Sequence, residues 1–148
     1  MAKKDLTFID FIIRSAWHRI ARLYNQMAVL NNCTMSVGFI LMIVEKEGTP
    51  STKLGPRMGM EPTSLSRTLL NMEEEGLIRR EISSQDKRKV LIFLTEKGLD
   101  MRRKVKSFLI EFNESCQAKI DASDLKGFYS VMNTIDKTID KYEKELTE

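Results

Sequence analysis

Apolar side chains recur along this chain at two different periods, and the change of period divides it. From Thr7 to Leu30 the positions Ile9, Ile12, Ile13, Ala16, Ile20, Leu23, Met27 and Leu30 step by threes and fours, which predicts a long amphipathic first helix. Phe8, Phe11 and Trp17 fall outside that stripe, so the first half of the helix carries more apolar surface than one core face uses, and a second buried contact is implied. Ser36 is a candidate N-cap for a second helix through Phe39, Leu41, Met42 and Val44, which Gly48 stops. Thr49-Pro50 reads as an N-cap with proline at the first helical position, opening a short third helix that Gly55-Pro56 should weaken or kink. Gly59, or the Glu61-Pro62 step, marks the next turn, and Pro62 suits the first turn of a fourth helix ending at Gly76.

The period then falls to that of a strand. Leu77 to Ile82 and Lys89 to Leu94 are strand-length and rich in β-branched residues, with polar Ser83 to Arg88 between them, and they predict a two-stranded hairpin. Thr95 caps a long helix with Val105, Phe108, Leu109, Phe112, Cys116 and Ile120 on one face. A last helix from about Ser123 places Leu125, Phe128, Met132, Ile135, Ile139, Tyr142 and Leu146 at alternating steps of three and four, like a coiled-coil seam. The predicted fold is mainly α with a small β-hairpin. Residues 35–98 have the order of a winged helix-turn-helix lobe, and residues 1–34 and 99–148 form a helical association lobe, all within a single domain.

On a helical wheel of the fourth helix, Leu65, Thr68, Leu69 and Met72 cluster on one side. Thr63, Ser64, Ser66, Arg67 and Asn71 lie on the other. Those small, hydrogen-bonding side chains suit a major groove, because Arg pairs with guanine, Asn with adenine, and Ser or Thr with bases or phosphates. A merely solvated face is more often rich in Glu and Lys.

Charge changes the picture only through its placement. The net charge of +3 does not by itself argue for nucleic acid, yet residues 1–50, 51–106 and 107–148 carry +2, +5 and −4. A basic middle beside an acidic tail suggests that the middle meets phosphate. With 42% hydrophobic residues the chain can build a core. No apolar run approaches the roughly 20 residues that cross a bilayer, and Met1 to Asp5 leads into no signal-peptide pattern, so a cytoplasmic protein is expected. Cys33 and Cys116 make neither a disulfide framework nor a zinc site and read as buried structural thiols, with a redox-sensing regulator as the alternative. The single histidine, His18, has no ligand partner at motif spacing, and no metal motif, nucleophile elbow, phosphate loop or dinucleotide fingerprint is present. The chain is therefore read as a non-enzyme, without metal or cofactor. RNA binding is disfavoured because no aromatic platform is interleaved with the basic residues. A winged-helix module that binds protein rather than DNA is the other alternative, since fold alone does not fix function.

Asp86-Lys87-Arg88, then Leu91-Ile92-Phe93-Leu94-Thr95-Glu96-Lys97-Gly98, and before them Gly76-Leu77-Ile78-Arg79-Arg80, resemble the DNA-binding core of the multiple-antibiotic-resistance regulator (MarR) family. Helix order and length extend the resemblance over nearly the whole chain. It implies a bacterial transcription regulator, a repressor by expectation, bound to double-stranded DNA as a homodimer joined through its first, fifth and sixth helices. The resemblance puts Arg88 in the minor groove beside the fourth helix, with Lys87 next to it and Asp86 either bracing Arg88 or pairing with Arg80. It also suggests a small aromatic or amphipathic effector, for which Trp17, His18, Phe39 and Met42 are candidate contacts. Gly55-Pro56 departs from the family's pattern, which usually has a regular helix with alanine there.

Overall fold

The computed structural model describes residues 8–147. Its elements follow in the order α1 (Ile9–Leu30), α2 (Met35–Ile43), β1 (Thr49–Pro50), α3 (Ser51–Met58), α4 (Pro62–Glu74), β2 (Ile78–Ile82), β3 (Val90–Leu94), α5 (Glu96–Gln117) and α6 (Ala122–Thr147). Thr7, the predicted start of the opening helix, lies outside the described residues. By packing, the chain divides inside α5 into residues up to Lys106 and residues from Ser107.

Three helix starts or stops are set by chemistry that the sequence left ambiguous. The hydroxyl that caps α2 belongs to Thr34, whose Oγ1 accepts from Val37 N at 3.2 Å, so Ser36 sits inside the first turn instead of capping it. Thr49 does not cap α3 either. It is buried, and its Oγ1 accepts from Glu45 N at 2.9 Å, closing the preceding turn. Its backbone forms β1, which pairs antiparallel with β3 (Thr49↔Ile92, Pro50↔Leu91), so the hairpin is part of a three-stranded sheet ordered β1-β3-β2. Helix α3 then runs continuously through Pro56, so Gly55-Pro56 does not end it. It is only two turns long, so few ladder bonds are at stake. Gly55 at its centre allows a close approach: a Cβ there would lie 3.2 Å from Met60 O, and Met60 N donates to Gly55 O.

The core belongs to the first unit. Ile40, Leu41 and Val44 from α2 and its end meet Leu54 of α3, Leu65, Leu69 and Met72 of α4, Leu77 and Ile78 at the start of β2, and Ile92 of β3. Helix α1 contributes no fully buried residue. Ile20, Leu23 and Met27 of the predicted stripe are half-buried, while Ile9, Ile12 and Leu30 of the same stripe are exposed. Among the described residues no single helix is long and apolar enough to cross a membrane. Helices α1 and α2 reach that threshold only as a pair bent by 89°, and α2 is core.

Helix α4 ends in a Schellman motif. Gly76 adopts φ +72°, Leu77 N donates to Met72 O at 2.8 Å and Gly76 N donates to Glu73 O at 2.9 Å. The next three carbonyls are all taken by the corner between β3 and α5. Lys97 Nζ donates to Glu75 O (2.6 Å), Thr95 Oγ1 to Gly76 O (2.6 Å) and Thr95 N to Leu77 O (3.1 Å), while the same Oγ1 caps α5 by accepting from Gly98 N. This contact is so close that a Cβ on Gly98 would lie 2.0 Å from Leu77 O, a backbone atom that cannot rotate away. Gly98→Ala should therefore destabilise the fold by about 1–3 kcal/mol or more, the range for overpacking. Chemical denaturation checks it, and an unchanged midpoint would mean that the corner is looser than described.

Candidate nucleic-acid interface

Helix α4 owes its orientation to its inner face. Leu65, Leu69 and Met72 are buried, and this fixes Thr63, Ser64, Ser66 and Arg67 on the exposed side. Pro62 occupies the first turn, where its missing N–H costs nothing. Arg67 has no ion-pair partner among the described residues. Asn71 is exposed on a flank. It lines a cleft of about 400 Å³ toward the α1–α2 turn, with Asn32, Cys33, Thr34, Thr68 and Glu75 among the other walls. Sequence reasoning placed Asn71 with the outward group but could not show that this flank faces another segment.

The wing closes on its own polar atoms. Ser83 Oγ accepts from Gln85 N and Asp86 N, Ser83 N donates to Lys89 O, and Lys89 N donates to Asp86 O. Of the two partners left open for Asp86, the structure brings up Arg88: Asp86 Oδ1 accepts from Arg88 N at 3.1 Å and from Arg88 Nε at 3.4 Å. Lys89 Nζ is 4.0 Å from the other carboxylate oxygen. The Arg88 side chain is 92% exposed, so the pair holds it in place more than it stabilises the fold. Lys87 is exposed beside it. Arg80 pairs instead with Glu73 (Nε to Oε2, 3.0 Å) and ties β2 to α4 rather than bracing the wing tip. Arg79, on the opposite face of β2, lies 4.4 Å from the centre of the Phe93 ring and pairs with Glu81.

Two positions escaped the sequence. Arg102 on α5 donates from Nη1 to Val44 O (2.9 Å) and from Nη2 to Met42 O (3.1 Å), capping the last carbonyls of α2. Its signal was a charge inside the inward row Gly98, Met101, Arg102, Val105. Leu70 is an apolar side chain left 50% exposed on α4.

The candidate effector contacts separate. Trp17 and Phe39 approach, with ring centres 6.3 Å apart, whereas His18 lines an open groove along α1 with Arg22 and Asn25. Met42 is half-buried and its carbonyl is one of the two that Arg102 holds. The cysteines differ from the expected buried pair, because Cys33 is only half-buried and Cys116 is exposed on α5. Burial pushes the Cys33 thiol up, and the charge of Glu75 adds to this against backbone hydrogen bonds that lower it. Thiolate is thus scarce at Cys33, which does not favour a sensing role there.

The chain is similar to several proteins described as regulators. The model of the MarR family matches residues 34–90. The HTH-type transcriptional regulator TtmR of Methylorubrum extorquens is 29% identical over 64% of this chain and 49% of its own length, so the chain spans about half of that relative. The organic hydroperoxide resistance transcriptional regulator of Bacillus subtilis is 32% identical over 68% of this chain and 67% of its own. Among solved structures, a complex of S. aureus MepR with DNA superposes with a TM-score of 0.77 at 16% identity, covering 90% of this chain and 99% of that one.

The two faces of α4 should separate in stability measurements. Leu69→Ala should cost about 2–5 kcal/mol, as large-to-small core changes do. Arg67→Ala should leave the melting temperature nearly unchanged. The reverse order in a melting scan would mean that the helix faces the other way.

Proposed function

The chain belongs to the MarR family of transcription regulators, and from that premise we propose that it binds a near-palindromic double-stranded DNA operator as a homodimer, acting in the cytoplasm as a repressor and not as an enzyme. The observation that carries this reading is the pairing of an exposed, hydrogen-bonding α4 face with a wing whose tip presents Lys87 and Arg88. Both are fixed to one corner of the fold by Thr95 and Lys97. Thr63, Ser64, Ser66 and Arg67 take the major groove, and Asn71 reaches bases or phosphate only from its flank. Arg88 takes the adjacent minor groove, where negative potential draws arginine. Lys87 contacts phosphate.

Support for the homodimer comes from apolar side chains left exposed among the described residues. Phe8, Phe11 and Ile12 at the start of α1, and Phe128, Ile139, Tyr142 and Leu146 along the α6 seam, are all exposed. A second copy covers such surfaces by two-fold symmetry. Release from the operator is assigned to a small aromatic or amphipathic effector, with Trp17 and Phe39 as its first contacts because their rings already adjoin.

Three measurements test this. Sedimentation at micromolar concentration should give about twice the 17.1 kDa of one chain, and a species of one-chain mass would remove the homodimer. Selection from random duplexes should return two half-sites about one helical turn, roughly 34 Å, apart, with affinity falling steeply as salt rises. Arg88→Ala should weaken binding to that site while fold and sedimentation stay unchanged. A protein that prefers no duplex over scrambled sequence would overturn the reading.

A further inference from the structure

We infer that Leu70 reads the C5-methyl group of a thymine in each half-site, an inference that rests on the DNA-binding reading above. Leu70 stands out on α4, where Leu65 and Leu69 are 7% and 3% exposed and Leu70 is 50% exposed. It follows Thr63 by seven residues, Ser66 by four and Arg67 by three, the spacings that place side chains along one side of a helix. Glu73, Glu74 and Glu75 come next, and their charge ends the surface a phosphate backbone tolerates. Leu70 is therefore the last outward position before that acidic end, with Asn71 turned to the flank.

A lone exposed leucine is common on protein surfaces. This one has company. Ile82 on β2 is 70% exposed and lies two residues beyond Arg80, so both side chains leave the strand on the same face. Arg80 reaches Glu73, three residues beyond Leu70 on α4. Leu70 is thus one helical turn before Glu73 and Ile82 two strand residues after Arg80, the two members of the ion pair that joins α4 to β2. The cations around them, Arg67 on α4 and Lys87 and Arg88 on the wing, call for a polyanionic occupant.

In the major groove of such an occupant, the bases present hydrogen-bond donors, acceptors and one apolar group, the thymine methyl. A leucine can neither donate nor accept, so the methyl is the feature it can discriminate. Ile82, on the strand leading to the minor groove, packs on sugar and carries no base preference.

Replacing each operator thymine in turn by deoxyuridine removes that methyl and leaves base pairing intact. Wild-type protein should lose about fourfold in affinity per half-site at one thymine position, the equivalent of burying one methyl-sized group. Leu70→Ala, checked for an unchanged melting temperature, should be indifferent at that position while keeping its discrimination elsewhere. Ile82→Ala should retain the fourfold step. Wild-type indifference to every uridine, a step that persists in Leu70→Ala, or a step lost with Ile82→Ala would each overturn the assignment while leaving operator binding intact. If wild-type protein fails to distinguish its selected site from scrambled DNA, the DNA-binding reading itself fails, and this assignment fails with it.

Discussion

Three carbonyl oxygens at the end of α4 govern the arrangement of everything that faces outward. Those of Glu75, Gly76 and Leu77 point away from the helix after the Schellman turn, and each accepts a hydrogen bond from Lys97 or Thr95. A half-buried carbonyl left without a donor costs about 1–3 kcal/mol. The corner between β3 and α5 is therefore held against the end of α4 by more than apolar contact. The approach is close enough that only glycine fits at position 98. Because β3 pairs along its length with β2, and β2 begins directly after Leu77, the wing and α4 are tied together. Under the proposed function, a head that spans two grooves needs this fixed spacing, since a misplaced wing would gain its phosphate contacts only by losing base contacts.

The same corner starts α5, and two more contacts continue the attachment along its first turns. Arg102 supplies donors to Met42 O and Val44 O, carbonyls that α2 leaves open at its negative end, so both hydrogen bonding and the helix dipole favour the guanidinium there. One turn on, Val105 lies across Gly38, where even a Cβ would meet it at only 3.7 Å. The C-termini of α2 and α4 thus both close on one segment of α5. A lysine at position 102 could reach one carbonyl but not fork between two.

What the sequence disclosed was decided within a few residues. Gly76, Pro62, Thr95 and the Asp86-Lys87-Arg88 turn act on their immediate neighbours, and each stands where its local chemistry requires. What it hid depended on partners far along the chain. Thr49 looked like a cap because threonine before proline usually is one, but its hydroxyl is already engaged by Glu45 N and its backbone by Ile92 and Leu91. Thr34 and Ser36 are equivalent as cap residues, and only the geometry of the turn after α1, with Asn32 at φ +53°, selects Thr34. Periodicity marked a stripe on α1 without saying how much of it one chain can cover, and half of it stays open. The helical wheel sorted α4 into inward and outward sides correctly for Leu65, Leu69 and Met72, yet it could not show that Asn71 flanks another segment.

The basic excess in the middle of the chain overstates what is available to a polyanion. Arg57 is paired with Glu45, Arg80 with Glu73, Arg79 with Glu81 and the Phe93 ring, and Arg103 with Asp100. Arg102 and Lys97 are spent on backbone carbonyls. These cations organise the fold, and bringing DNA near them would gain little beyond what their present partners provide. Arg67 and Lys87 have no such partner among the described residues, and Arg88 keeps its guanidinium almost wholly in water while one carboxylate steadies it. Uncommitted positive charge on this segment therefore lies at Arg67 and the wing tip, where a helix and a wing would enter adjacent grooves under the proposed function, and also at Lys53, Lys104 and Lys106. The number of counterions released on binding should follow those groups rather than the formal charge of the segment. A chain with a net charge of only +3 can still present a local positive field where such groups stand together.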